Sequence, residues 1–247
     1  MKLIHTSKIG IKTENSNPII SKRGIFNELF KKNTKAAIVG LGQDGVQELA
    51  KFSEHFKTIG FDENEDKVNL LKNQIDPLNL NEEIGDLQFS SDPNSLRQAR
   101  LFVITAKPAL NEYYKPNLQS LTCSVRKVAK ALKKRDHVIF KFTSFPGCIE
   151  EVCLPILEKE SKLKLNRDFT IGFSPEKFDY QIEGETEESS KNIISSSDPD
   201  LIGEYVNIFK KVEGDFIHPI PNIRLTEILN IISLRKDINS IPKQKYA

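Results

Sequence analysis

The apolar run "AAIV" (36–39) stops at Gly40, Gly42 and Gly45 follow within five residues, and an amphipathic run continues to Phe56. Few folds accept a strand, a glycine turn and a helix in that order and at that spacing. Gly40 permits the tight turn, Gly42 lets the backbone approach a diphosphate, and Gly45 lets the helix pack closely on the strand. The helix start then offers unpaired N–H groups and a partial positive charge to an anion. Asp62 ends the next apolar run, 22 residues after Gly40. A carboxylate there accepts hydrogen bonds from ribose hydroxyls and disfavours the 2′-phosphate of NADP, so NAD is the expected cofactor.

One residue argues against a filled turn. Asp44 places a carboxylate inside the glycine loop. At about 5 Å from a diphosphate, with an effective dielectric near 20, one like charge costs roughly 3 kcal/mol, or about a hundredfold in affinity. In an empty loop the same acid favours the first turn of a helix.

The remainder of the chain repeats the alternation of strand and helix. Expected strands are 57–62, "LQFSSD", "LFVITA" (101–106), "DHVIFKFTS" (136–144) and "DFTIGFS" (168–174); "NIISSS" (192–197) and "DFIHPI" complete the set. Expected helices are 45–56, 64–74, a short one "PNSLRQA" opened by proline, 117–134, 146–161 with a kink at Pro155, about 199–211, and a last one from about Ile223. Residues 75–86 read as a loop and 184–191 as a charged turn. Strands joined by crossover helices pair in parallel through right-handed units. The fold class is therefore α/β, a Rossmann-type doubly wound, mostly parallel sheet with helices on both faces. The expected division is a polar N-terminal extension at 1–32 with a short helix "IFNELFKK", a dinucleotide-binding domain at 33–221, and a helix start with tail at 222–247.

Composition narrows the partners. A net charge of +2, with 36 basic and 34 acidic residues interspersed, provides no nucleic-acid stripe. No stretch approaches the roughly 20 apolar residues of a membrane span. Three cysteines, Cys123, Cys148 and Cys153, are too few for a disulfide framework and suit a reducing cytoplasm. The four histidines are scattered and form no ligand pair, so no metal site is expected.

"IVGLGQDGVQELAKFSEHFKTIGFDENEDKV" resembles the opening of the UDP-glucose / UDP-N-acetylhexosamine 6-dehydrogenase family, and "FVITAKPALNEYYKPNLQSL", "VIFKFTSFPGCIEEVCLPILEKES" and "GFSPEK" extend the likeness over about residues 35–240. The resemblance implies an NAD-binding domain of an enzyme that oxidises a sugar CH2OH to a carboxylate, through a thioester on a cysteine. It implies cofactor contacts from Gly40, Leu41, Gly42, Gln43, Asp44, Gly45, Asp62, Lys67, Thr105 and Thr143. Lys67 stands at a basic position that would reach a phosphate or ribose. Thr143 stands where the family positions a catalytic water, and Glu176, in "SPEK", stands at the family's acid/base carboxylate. A homodimer through residues 222–240 is also implied.

The departures fall on chemistry. The family's G-G-x-C loop is not found in this sequence, and none of the three cysteines has a nearby histidine to activate it. A UDP-sugar is therefore expected as a partner only if the missing middle and UDP-binding domains are supplied. The family's V-P-T-P turn reads Ala106-Lys107-Pro108-Ala109, and its E-S-T turn reads Lys141-Phe142-Thr143. Asn230 aligns with the family's oxyanion lysine, and Ser233 or Leu234 with its asparagine; an asparagine supplies no charge to an alkoxide. Two readings stay open: a truncated NAD-binding portion inactive alone, or a non-catalytic Rossmann relic or interaction module, a pseudoenzyme with weak or no NAD binding.

Overall fold

The structure, a computed structural model, describes residues 24–73, 87–110, 116–143, 145–176 and 192–240, with side chains on the last helix described to Ser233. The expected loop at 75–86, the charged turn at 184–191, Lys177 of "SPEK", most of the N-terminal extension and the final tail lie outside these residues. In chain order the elements are α1 (Ile25–Phe30), β1 (Lys35–Val39), α2 (Gln43–Ser53), β2 (Thr58–Phe61), α3 (Glu65–Asn73), β3 (Leu87–Ser90), β4 (Ala99–Ile104), β5 (Ala109–Leu110) and β6 (Pro116–Asn117). There follow α4 (Gln119–Ala131), β7 (Asp136–Phe140), α5 (Leu154–Ser161), β8 (Phe169–Phe173), β9 (Asn192–Ser196), α6 (Ile202–Glu213), β10 (Ile217–Ile220) and α7 (Ile223–Ser240).

Eight strands form one sheet in the order β10-β9-β8-β7-β4-β1-β2-β3. Every neighbouring pair is parallel except β8 with β9. The expected doubly wound α/β fold is thus present, with one reversal near the far edge. Its strands are apolar on both faces because both are covered. Ala37, Val39, Phe102 and Ile104 pack in one layer with α4 and α5. Ala36, Ile38, Leu101 and Val103 pack in the other with α1, α2 and α6. The chain leaves β1 for β2 on one side and returns to β4 on the other, so the switch point lies between β1 and β4.

Several boundaries differ from those expected. α2 starts at Gln43, with Gly42 as its N-cap, two residues before the expected start at Gly45. β7 ends at Phe140 instead of Ser144. α4 is shorter than 117–134 because residues 116–117 pair with β5 in a small antiparallel ribbon. Residues 148–161 form one continuous helix, π-helical over Cys148–Cys153 and α-helical from Leu154 (α5), with Pro155 just past the junction. Proline lacks the N–H that a regular helical bond needs, and the wider π-helical turn before it takes up that irregularity. The turn is held from outside: Glu227 of α7, fully buried, accepts the N–H of Gly147 at 2.6 Å and of Ile149 at 3.1 Å.

Candidate functional site

The carboxyl ends of β1, β2, β4, β7 and β8 share one edge of the sheet, and each carries part of the site. Gly40 follows β1 with φ +102°, a left-handed conformation that explains its residue type. A Cβ on Gly45 would stand 1.9 Å from the Gly40 carbonyl oxygen and 2.8 Å from Thr105 Oγ1, so Gly45 is demanded by the fold itself. Gly42 differs: a Cβ there would meet nothing within 4 Å. The protein leaves that space open, and Gly42 as N-cap has no side chain to bond the first-turn N–H groups of α2. The turn therefore fits a diphosphate: open volume, a bare helix start and a backbone that approaches without obstruction. Leu41 is buried beneath the turn, while Gln43 points to solvent.

Asp62, one residue past β2, is nearly buried and already committed. Its Oδ2 accepts the Leu41 N–H at 2.8 Å and the Lys67 ammonium at 2.7 Å, and its Oδ1 accepts the Asn64 N–H at 3.0 Å. The carboxylate thus ties the glycine turn to β2. Lys67, expected to reach a phosphate or ribose, pairs with Asp62 at 2.7 Å. Thr105, one residue past β4, donates to the Gly40 carbonyl at 2.6 Å and so clamps the two strand ends together.

Three further residues sit three positions past their strands: Lys107 after β4, Thr143 after β7, and Glu176 after β8. The Lys107 ammonium pairs with Asp44 of α2 and with Glu176 at 3.2 Å. The hydrogen bond from Lys107 to Asp44 holds the ammonium above its ordinary pKa. Burial, and then Asp44, push the Glu176 carboxyl up. This corrects the expectation of an uncompensated acid in the loop. Asp44 has a cation at its side, and the full repulsion of a bare charge does not apply. Sequence reasoning missed Lys107 as a site residue. The signal was present as two departures of opposite sign, Asp44 and Lys107, whose contact only the topology reveals.

Lys141, at the family's E-S-T turn, does not face the crevice. It is 2% exposed and pairs with Glu213 of α6 at 2.7 Å. Thr143 is half-buried at the edge of the site. Cys148 and Cys153 are buried in the π-helical turn, and their mutual hydrogen bond, then burial, raise the Cys153 thiol. Cys123 lies on α4, beside Glu63. No thiol among the described residues lies at the glycine turn. No set of three or more His, Cys, Asp or Glu among those residues could hold a metal, and no helix among them is long and apolar enough to cross a membrane.

α7 carries an inverted pattern. Thr226, Glu227, Asn230 and Ser233 are buried against the domain, while Leu225, Ile228 and Ile232 are exposed. Leu229 and Ile231 are half-buried.

Residues 34–213 match the family model for the NAD-binding domain of the UDP-glucose/GDP-mannose dehydrogenase family. UDP-N-acetyl-D-glucosamine 6-dehydrogenase of Pseudomonas aeruginosa is 30% identical over 214 residues, covering 84% of this chain and 51% of that protein. Protein CapL of Staphylococcus aureus is 28% identical, covering 84% and 50%. The chain spans about half the length of the curated relatives it matches. Among solved structures, UDP-D-ManNAc dehydrogenase from Pyrococcus horikoshii superposes with a TM-score of 0.71 at 20% identity, over 83% of this chain and 51% of that one. A ternary complex of GDP-mannose dehydrogenase from Pseudomonas aeruginosa gives 0.66 at 17%, over 83% and 49%. These structural likenesses carry the fold.

Proposed function

The chain belongs to the UDP-glucose/GDP-mannose dehydrogenase family, whose NAD-binding domain it carries, and on that premise we propose how its residues use the cofactor. NAD lies across the switch point between β1 and β4. Its diphosphate sits over Gly42 on the start of α2, and its adenosine ribose on Asp62. Leu41, Gln43, Thr105 and Lys67 frame that position, while Thr143 and Glu176 face the nicotinamide end. Bound NAD supplies a hydride acceptor; the residues named bind and orient it. The cofactor domain spans residues 33–221, preceded by the extension at 1–32 and followed by the connecting segment at 222–247. The observation that carries this reading is the open space over Gly42, next to a Gly45 that nothing but glycine fits. NAD at a hundred times its Kd stabilises the folded state by about 2.7 kcal/mol, a rise in Tm of roughly 5–10 °C for a chain of this size. No shift at millimolar NAD overturns the reading.

Within a longer enzyme of this family the domain serves oxidation of a UDP-sugar for polysaccharide precursor synthesis. The 247-residue chain alone forms no NADH from UDP-glucose or UDP-N-acetylglucosamine, since no described thiol reaches the site. Steady NADH production would refute this. A second reading, a non-catalytic Rossmann relic or interaction module with weak or no NAD binding, is favoured by Asn230 in place of a cation on α7. The exposed Leu225, Ile228 and Ile232 support a homodimer through 222–240, which light scattering measures directly. The free thiols support a reducing, cytoplasmic setting.

A further inference from the structure

Asp44 and Lys107 are 63 residues apart in sequence and in contact in space. Neither position is accidental in the fold. Asp44 is in the first turn of α2, where an acid meets the positive end of the helix. Lys107 belongs to a segment clamped to the glycine turn. Thr105 donates to the Gly40 carbonyl at 2.6 Å, and a Cβ on Gly40 would stand 3.0 Å from the Ala106 nitrogen. The ammonium is thus carried on a short, anchored loop against the first turn of α2, and it pairs as well with Glu176, whose carboxyl meets that of Asp44.

We infer that Lys107 is the charge-compensating residue of the dinucleotide site: it cancels Asp44 and so permits the glycine turn to accept a diphosphate. This rests on the reading of the site as an NAD site and adds the residue that makes the acid-bearing loop workable. The formal charge of the cluster decides the effects. Asp44, Glu176 and Lys107 together carry −1. Lys107→Met leaves −2 beside the diphosphate, Asp44→Asn leaves 0, and the double variant returns to −1. Partly exposed charges of this kind act through solvent and salt, so each unit is worth about tenfold in affinity at low ionic strength.

Calorimetric titration with NAD, ADP and adenosine at low salt tests it. Lys107→Met should bind ADP and NAD about tenfold more weakly, Asp44→Asn about tenfold more tightly, and the double variant within threefold of wild type. Lys107→Arg should retain affinity, and adenosine, which has no phosphate, should bind all variants alike. The single-variant differences should shrink as salt is raised. Unchanged ADP affinity in Lys107→Met overturns the inference, as does an equal loss for ADP and adenosine, which would mark damage to the fold. A wild-type protein that binds neither NAD nor ADP sinks the NAD reading itself; wild-type binding with an indifferent Lys107→Met sinks this inference alone.

Discussion

Gly42 and Gly45 are three residues apart in one motif, yet the structure assigns them different masters. Replacing each by alanine separates the requirement of the fold from that of the ligand. At Gly45 the new Cβ lies 1.9 Å from the Gly40 carbonyl oxygen, a backbone atom that cannot swing away, and 2.8 Å from Thr105 Oγ1. α2 must retreat from β1 by more than an ångström, or the glycine turn must open. Overpacking of this kind costs about 1–3 kcal/mol, with this contact at the upper end. For a chain of this length that is a drop in Tm of roughly 5–10 °C. At Gly42 φ is −70° and ψ −174°, backbone that any residue adopts, with nothing within 4 Å of the new methyl. The lower entropy of the unfolded chain favours alanine by about 0.4–1 kcal/mol. Its poorer N-cap preference takes back a similar amount. The two offset, and Gly42→Ala should melt within about 2 °C of wild type. Its NAD affinity should nevertheless fall at least about tenfold, because the methyl occupies the space of closest approach to the diphosphate. Thermal melts with and without NAD read both effects in one experiment. Equal destabilisation by the two substitutions, or Gly42→Ala binding NAD as wild type does, would refute the assignment of that space to a ligand.

Three further outcomes are expected. Asp62→Ala removes the acceptor of the Leu41 N–H and the partner of Lys67; it should cost about 1–3 kcal/mol in urea unfolding and weaken NAD binding in calorimetry. Glu227→Ala deletes a buried carboxylate that accepts two backbone N–H groups at the π-helical turn; a loss of about 3 kcal/mol is expected, without a change in adenosine affinity. His137 is held down at about 4 by burial among Thr170 and Tyr205. Between pH 6.5 and 4 the unfolded chain takes up a proton there and the folded one does not, so this group withdraws stability as pH falls through that window, by up to about 3 kcal/mol. Asp136 acts in the opposite sense, since burial pushes its folded carboxyl up to about 6. The stability gap between wild type and His137→Gln cancels that background, and urea midpoints should show it narrowing from pH 7 to pH 4.

What the sequence makes legible is local. The run from Ala36 to Asp62 contains its own strand, turn, helix and strand, and the chemistry of each glycine is a property of residues a few positions away. The apolar pattern of β4 and β7, buried on both faces, likewise needs no knowledge of neighbours. Long-range effects are not legible in this way. The antiparallel entry of β9 depends on where the chain re-enters the sheet after β8. The π-helical turn depends on Glu227, 80 residues from the Gly147 N–H that it accepts. The ion pair between Lys67 and Asp62, 2.7 Å apart, joins two residues that the sequence presents separately.

The charge at the mouth of the site is the sharpest case. Read along the chain, Asp44 is a defect in an anion site and Lys107 an oddity in a turn. Folding brings β4 beside β1, and with it the loop after β4 against the first turn of α2, so Asp44 gains a cation that it shares with Glu176. On this inference, a reversed charge at one strand end is offset by an opposite charge on the loop after an adjacent strand. In a parallel sheet every carboxyl end lies on the same edge, which makes such compensation accessible from any neighbouring strand. The topology that builds the crevice therefore also relaxes the sequence requirements on its glycine loop. Whether an acid in such a loop marks a lost cofactor or a kept one depends on the charge carried by the loop after the adjacent strand.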